Sequence, residues 1–229
     1  MKQVIIISDN HGYPARYAAP ATAAETVIIC PYDKPTPGAT PVQMPDEWLP
    51  RDGADYGKRC LFRCEMMFPA AVLQLGLDAD FYWCAESDVC AMPDVWQRLI
   101  AASAKRALDG IYVNLGPREG DTGWRQWWNH PGTPAWANKR QLGAMFRLSS
   151  RAVQWLTDAA EENREAFSEI ANASTVSRMG GSTGDMRQLG WFYNSQCMRP
   201  APFRSNVNRA LFNHPLKSNT AEPVQHLLP

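Results

Sequence analysis

Short apolar runs alternate with helix-like segments through the first half of this chain, which limits the folds available to it. The runs are rich in β-branched or aromatic residues, as in "QVIIIS" and "GIYVNLG", and such runs predict buried strands. The predicted strands are 3–8, 26–33, 78–87 and 110–116, and the predicted helices are 57–76 and 94–108. Helices between strands are the usual crossovers of parallel pairs. The pattern therefore predicts an α/β fold with a mostly parallel central sheet.

The second half of the chain is less regular. A strand is predicted at 142–149, followed by a helix through Ala152 to Ala159 and a shorter helix at 168–181. Serine and glycine mark the helix boundaries, with predicted caps at Ser149 or Ser150 and at Ser168, and a predicted stop at Gly180. The proline-rich stretch 34–50 and the aromatic stretch 120–140 are predicted as loops without regular structure. We expect one domain over 1–218 and a C-terminal tail over 219–229.

Composition excludes some classes of function. The chain has 229 residues, 45% of them hydrophobic, which is enough for a sizeable core. Lys+Arg and Asp+Glu both number 23, so the chain as a whole is not a basic nucleic-acid binder, although a local basic groove remains compatible with this balance. The first apolar run is too short for a signal peptide or a membrane span. We therefore expect a cytoplasmic protein (in the host cytoplasm if it is viral) with no membrane partner.

The six cysteines contain no C-x-x-C pair. Reduced cysteines that serve as small core residues are favoured over a zinc site.

Two carboxylates, Glu86 and Asp88, lie at the carboxyl end of the third predicted strand. Alternation along an extended chain points both side chains the same way, and ligands of parallel sheets bind beyond the carboxyl ends of the strands. A divalent cation or a sugar hydroxyl between the two groups would relieve their repulsion. The alternative is a helix-capping acid beside a solvated turn.

Four segments resemble the glycosyltransferases of the GT-A fold. "DADFYWCAESDVCAMPDVW" resembles the strand, acidic D-x-D motif and helix of that family, and "LGAMFRLSSRAVQWL" resembles its acceptor-side strand and helix. "FSEI" is similar to the segment that carries the catalytic carboxylate, and "FNHPLK" to the late H-P-x-K motif. The segments occur in the family's order, although Glu86 stands where the first Asp is expected. The resemblance implies a single GT-A-like, Rossmann-like domain that transfers a sugar from a nucleotide-diphosphate sugar.

The resemblance also implies a set of site residues. Mn²⁺ or Mg²⁺ would be bound by Asp88 and His214, and the histidine favours Mn²⁺. Glu169 would be the general base that takes the acceptor proton. The other residues expected to contact the donor are Ser8, Asp9, Asp33, Arg63, Glu86 and Lys217, of which Arg63 and Lys217 would pair with phosphate oxygens.

Several of these residues also have structural interpretations. "NHP" occurs at 129–131 as well as at 213–215, so its histidine is also readable as a turn residue. Glu169 near a helix start would stabilise the helix dipole without catalysis. Asp33 is also explained as a turn acid, and Arg63 as a solvated charge on a helix.

Tryptophans cluster in the aromatic loop, where the residues are Trp124, Trp127, Trp128 and Trp136. Aromatic faces stack on sugars and nucleobases, and this loop lies between the donor half and Glu169. We therefore expect it to bind the acceptor, with a second small core as the alternative.

Phage enzymes that glycosylate a hydroxymethylated DNA base, 5-hydroxymethylcytosine, are one GT-A-like group that the compact chain resembles. Such enzymes extrude the base and stack it on aromatic residues, so DNA is narrowly preferred here over a glycan or a protein side chain. A nucleotidyltransferase would need a glycine-rich basic loop after the first strand, and "SDNHGYPARY" has one glycine. A non-catalytic carbohydrate- or nucleic-acid-binding module would explain the tryptophans but not the acidic residues.

Overall fold

The computed structural model describes residues 1–9, 24–51, 55–56, 59–60, 63–87, 89, 91, 93–121, 125–190, 192–194 and 212–213. Seven strands form the main sheet: β1 (Gln3–Ser8), β2 (Glu25–Pro31), β3 (Thr40–Val42), β4 (Phe81–Glu86), β5 (Gly110–Pro117), β6 (Lys139–Ser149) and β7 (Thr183–Asp185). The α-helices are α1 (Met67–Gln74), α2 (Pro93–Ser103), α3 (Arg125–Trp128), α4 (Ser150–Asp158) and α5 (Ser168–Arg178). A separate parallel pair joins β8 (Tyr193–Asn194) to β9 (Phe212–Asn213).

The strand order in the main sheet is β3-β2-β1-β4-β6-β5-β7. β6 runs antiparallel to β4 and β5, and the other pairings are parallel. The predicted α/β fold with a mostly parallel sheet is therefore confirmed. The carboxyl ends of β1, β4 and β5 share one edge of the sheet with the beginning of β6. The chain leaves β1 towards β2 and later returns to β4 on the other side of β1, and such a switch point opens a crevice in α/β sheets.

Both faces of the sheet are covered. Val4 and Ile6 point into a core shared with α1, α4 and α5, whereas Ile5 and Ile7 point into a core shared with α2. This two-sided burial explains why β1 is apolar throughout rather than alternating. Burying each such side chain contributes about 1.5–3 kcal/mol, so the strand that carries part of the crevice is firmly held.

Local signals account for most helix boundaries. The Ser149 hydroxyl accepts the N–H of Ala152 at 3.1 Å and caps α4 as predicted. Gly180 has φ +79° and ends α5, with the N–H of Gly181 bonded to the carbonyl of Val176 at 2.9 Å. The cap predicted at Ser168 is wrong, because Ser168 is the first residue of α5 and Phe167 occupies the cap position.

Two other boundaries differ from the sequence prediction. The proline-rich stretch is not wholly irregular, since it contains β3 and a single 3₁₀ turn at Asp46–Trp48. β3 is an edge strand, where a proline such as Pro41 is tolerated. α1 begins at Met67, which places Pro69 in its first turn, where no intrahelical bond to the proline nitrogen is lost.

Two buried charges tie β6 to its surroundings. The Arg147 guanidinium donates to the carbonyls of Ser103, Arg106 and Leu108 at 2.9, 2.7 and 3.0 Å, and burial lowers the pKa of Arg147 to about 10. At the end of β6, the Asp109 carboxylate accepts hydrogen bonds from the Ser149 hydroxyl, the Arg151 guanidinium and the Ser182 backbone.

In the described part of the chain, no helix has both the length and the apolar character needed to cross a membrane.

Candidate active site at the carboxyl edge of the sheet

The ends of β1 and β4 meet at the switch point. Ser8 lies opposite Glu86 in the register of these strands, and the N–H of Ser87 donates to the Ser8 carbonyl at 2.9 Å. The Ser87 hydroxyl donates to Oδ1 of Asp9 at 3.4 Å, and Asp9 is 1% exposed. The structure thus brings Ser8, Asp9 and Glu86 together at the edge where the sequence predicts donor contacts.

Glu169 reaches the same edge from the first turn of α5. Its Oε1 accepts the backbone N–H of Gly143 at 2.5 Å. Pairing between β5 and β6 jumps from Tyr112–Phe146 to Val113–Leu142, so β6 carries extra residues at Gly143–Met145. A bulge of this kind leaves backbone groups out of the ladder, which explains how the Gly143 N–H is available to a side chain.

Glu65 is a fourth carboxylate at this position, and it was not among the predicted site residues. It lies in a 3₁₀ turn, Cys64–Met66, directly before α1 and is 2% exposed. A Cβ atom added at Gly143 would come within 1.7 Å of Glu65 Oε1, so the two residues are packed together. Burial, followed by the charges of Glu169 and Glu86, raises the pKa of Glu65 well above its ordinary value.

Two sequence signals pointed to this pair. Glu65 is the only acid in the stretch "RCLFRCEMMFPAAVLQLG", and an acid within a predominantly apolar segment marks a buried polar role. A glycine inside a predicted strand marks a close approach by another group.

Cys64 borders the carboxylates but is not suited to nucleophilic chemistry. Its Sγ donates to Glu86 Oε1 at 3.9 Å. Burial and the neighbouring charges of Glu65, Glu86 and Glu169 raise the pKa of the thiol well above its ordinary value. The residue is therefore a thiol rather than a thiolate at neutral pH.

Arg63 lies in the interior rather than on a solvated helix face. Its Nη1 donates to the carbonyls of Asn163 and Ala166 at 2.9 and 2.8 Å, and burial lowers its pKa to about 10. These bonds anchor the segment that leads into α5 and hence into Glu169. The phosphate contact expected of Arg63 stays a prediction, and the described bonds give it a structural role.

Asp33 lies in an exposed turn after β2, where the N–H of Lys34 donates to the Pro31 carbonyl at 2.9 Å. The turn interpretation describes this geometry, and the donor contact stays a prediction. At the first "NHP", His130 Nδ1 accepts the N–H of Gly132 at 3.2 Å, so this histidine takes part in a turn.

The described tryptophans of the aromatic loop, Trp127, Trp128 and Trp136, pack as a small cluster around Ile170 of α5. Trp128 is buried, and its Nε1 donates to Oδ2 of Asp121 at 3.1 Å. Trp127 stacks on Phe167 with 4.2 Å between ring centres, and the Arg178 guanidinium lies 4.5 Å from the Trp136 ring centre. The small-core alternative describes the packing of Trp128, while Trp127 and Trp136 are only partly buried. Acceptor binding by these three residues stays a prediction.

A groove of about 610 Å³ lies beside this cluster, at the end of β5 and the start of β6. Its lining residues are Leu115, Gly116, Pro117, Arg118, Glu119, Asn138 and Lys139. Burial lowers the pKa of Lys139. The groove therefore offers cationic and polar groups, and its Arg118 guanidinium lies 5.5 Å from the ring centre of Trp128 in the cluster.

Four predicted site residues lie outside the described residues: Asp88, Trp124, His214 and Lys217. Among the residues that are described, no group of three or more His, Cys, Asp or Glu side chains is arranged to hold a metal ion. The three glutamates at the sheet edge thus do not form a metal site by themselves.

Comparison with protein-family models found no match, and comparison with curated proteins found none either. Among solved structures, the galactosyltransferase LgtC in complex with donor and acceptor sugar analogs is 9% identical, with a TM-score of 0.45 over 93% of this chain and 86% of that chain. CMP:2-keto-3-deoxy-manno-octonic acid synthetase complexed with CTP is 11% identical, with a TM-score of 0.42 over 81% of this chain and 89% of that chain. A 4-diphosphocytidyl-2C-methyl-D-erythritol synthase is 14% identical, with a TM-score of 0.41 over 80% and 87% of the two chains. Likeness at this level carries no argument about the reaction of this chain.

Proposed function

We propose that this chain is a transferase that takes a nucleotide-linked sugar as its donor and moves the sugar to an acceptor hydroxyl. The observation that carries the proposal is the meeting of Asp9, Glu86 and Glu169 at the carboxyl edge of the sheet. Asp9 and Glu86 flank the switch-point crevice, the usual ligand position in such sheets. Carboxylates there are suited to accept hydrogen bonds from ribose or sugar hydroxyls.

Glu169 has the role of general base in this proposal. A carboxylate that accepts a backbone N–H on one oxygen is held in a defined orientation, as Glu169 is by Gly143. It approaches from α5, which also carries the aromatic cluster through Ile170. The base and the expected acceptor region therefore belong to one side of the site, opposite the donor residues of β1 and β4.

A divalent ion belongs to the proposal through Asp88 and His214. When bound, Mn²⁺ or Mg²⁺ would neutralise the charge that develops on the departing diphosphate. Among the described residues, no group of side chains supplies a complete ligand set for such an ion. Asp88 and His214 are the residues proposed to hold it. Asp33, Arg63 and Lys217 complete the proposed donor contacts.

The identity of the acceptor is the most specific part of the proposal. We propose that it is a hydroxymethylated base in DNA. The Arg118 guanidinium of the groove lies 5.5 Å from the ring centre of Trp128, against which the partly buried Trp127 and Trp136 pack. Aromatic rings beside cationic groups are suited to a base next to a phosphate. A glycan or a protein side chain is the competing acceptor, and a screen of acceptors tests the choice.

Thermal unfolding with a panel of nucleotide-diphosphate sugars, with Mn²⁺ and with a chelator, tests the donor class. The correct donor at a hundredfold excess over its Kd should stabilise the protein by about 2.7 kcal/mol. Release of free sugar from that donor should then be measured. Binding without release would indicate a non-catalytic module, whereas stabilisation by a nucleoside triphosphate with release of pyrophosphate would indicate a nucleotidyltransferase.

The Glu169→Gln variant separates donor binding from chemistry. It should keep the stabilisation by donor and lose about 10²–10⁴-fold in the rate of transfer. Glu162→Gln is the matched control, because Glu162 is exposed and pairs with Arg178 at 2.7 Å. Equal transfer rates in the two variants would remove Glu169 as the base.

A further inference from the structure

The contact between Glu65 and Gly143 has a consequence for Glu169. We propose that Glu65 is a positioning residue that stays in the neutral acid form and holds Gly143 in the bulge that presents its N–H to Glu169. The effect on catalysis rests on the proposed function, whereas the protonation of Glu65 does not.

Space is the first argument. Glu65 Oε1 occupies the position that a Cβ atom would need at Gly143, and the N–H of the same glycine donates to Glu169 at 2.5 Å. The backbone of Gly143 is therefore held between two carboxyl groups. Movement of Glu65 would release the bulge and with it the orientation of Glu169.

The charged and titratable groups around Glu65 are the second argument. Arg63 and Cys64 adjoin it in its own segment, Glu86 faces it from β4, and Glu169 faces it from α5. The Arg63 guanidinium is already bonded to two backbone carbonyls. The negative charges of Glu86 and Glu169 thus oppose ionisation of Glu65. The cation of Arg63 does not offset them by a direct bond, because its guanidinium is bonded to backbone carbonyls.

Burial is the third argument. Glu65 is 2% exposed, and its Oε2 has no hydrogen-bond partner in the described part of the chain. An ionised carboxylate in that position would leave Oε2 buried without a hydrogen bond, which is costly. Glu169 is half-buried, and its Oε1 accepts the backbone N–H of Gly143. Of the two carboxyl groups, Glu65 is therefore the one whose burial favours the neutral acid.

Infrared spectroscopy of the full chain at neutral pH tests the protonation directly. The wild-type protein should show the C=O band of a protonated carboxyl group, Glu65→Gln should lose this band, and Glu169→Gln should retain it. Loss of the band in Glu169→Gln alone, or an unchanged spectrum in both variants, would overturn the proposal. Carbon NMR of wild-type protein labelled at the glutamate carboxyl carbons gives a readout that requires no variant to fold. One resonance should remain that of the acid form at neutral pH, and its absence would contradict the proposal.

Kinetics then test the positioning role. Glu65→Gln keeps the shape and neutrality of the acid, so it should retain the wild-type transfer rate and pH profile. Glu65→Ala should lower kcat at least tenfold with the donor KM unchanged. If Glu65→Gln is as impaired as Glu65→Ala, the neutral form is not what matters and the proposal is wrong. If the wild-type protein transfers no sugar while the spectra behave as expected, the proposed function fails and the protonation of Glu65 stands.

Discussion

The guanidinium carbon of Arg147 lies 4.0 Å from the centre of the Phe81 ring, in a position where Arg147 is fully buried. A cation–π contact of this kind gains strength when it is shielded from water. Nη1 and Nη2 of Arg147 donate to the carbonyls of Ser103, the last residue of α2, and of Arg106 and Leu108 beyond it. One arginine thereby joins β4, β6 and α2.

Arg147→Met should lower the free energy of unfolding by about 2–5 kcal/mol, because buried carbonyls lose their donors. Arg98→Met is a matched control, since Arg98 is half-exposed and pairs with Asp94 on the helix surface at 3.4 Å. The control should change stability by at most about 0.5 kcal/mol. Denaturant unfolding measures both, and equal effects would contradict the interior role of Arg147.

Gly143→Ala should destabilise the protein by about 1–3 kcal/mol, because the new methyl group overlaps the Glu65 carboxyl. Gly116→Ala is the control, since its Cβ would meet only the flexible end of Arg140 at 3.2 Å. Adding Glu65→Ala to Gly143→Ala should recover part of the loss, because the clash is removed. Strictly additive effects in this double-mutant cycle would argue against direct contact.

Asp109 should make stability depend on acid pH. Its burial acts to raise its pKa, but hydrogen bonds from the Ser182 backbone, Arg151 and Ser149 outweigh this and lower the pKa below 3.8. A lowered folded-state pKa contributes stability that is present above the unfolded-state pKa and is lost as pH falls through the folded-state pKa.

Asp109→Asn should therefore cost about 1–3 kcal/mol at neutral pH, and its difference from the wild type should shrink below about pH 4. Asp46→Asn is the control, because the Asp46 side chain is exposed and pairs with Arg59 at 3.0 Å. Unfolding curves across acid pH give the comparison. A difference that stays constant with pH would show that Asp109 acts without its charge.

Trp136→Ala should weaken acceptor binding by about 1–3 kcal/mol, the effect of losing one stacked base. It should raise the acceptor KM and leave release of sugar from the donor unchanged. Trp155→Ala is a matched control, since Trp155 also lies under an arginine, with 4.8 Å from Arg151 to its ring centre. If both variants lose stability and neither changes the acceptor KM, Trp136 has a packing role only.

Local sequence signals accounted for β1, β2, β4, β5 and β6, for the cap at Ser149 and for the stop at Gly180, but not for the pairing between distant segments. β1 and β4 were readable because each is a continuous apolar run. The antiparallel direction of β6 could not be predicted in this way, because strand direction depends on chain connections and packing and not on residue type. β3 was missed for the same reason, because its pairing with β2 outweighs a composition poor in strand formers.

The positions of site residues could be predicted from the sequence where those residues lie at the ends of predicted strands. Ser8, Asp9 and Glu86 follow apolar runs, so their meeting at one edge follows from a parallel sheet. Glu65 and Gly143 each carry a local signal, an acid in an apolar segment and a glycine in a strand, but no local pattern shows that these two residues meet. The tryptophans show a different limit of sequence-based prediction. Their clustering in the sequence was visible, but it did not reveal which rings face inward.

The reversal of β6 divides the chain into two parts that can change separately. The donor-side residues Ser8, Asp9 and Glu86 all precede the stretch that joins β5 to β6, while Gly143 and Glu169 follow it. Because β6 starts where β4 and β5 end, that stretch is exchangeable without disturbing the β1–β4 crevice. In the transferase proposed above, replacing this one segment between two strands would therefore change the acceptor, while the residues of β1 and β4 that face the donor stay the same.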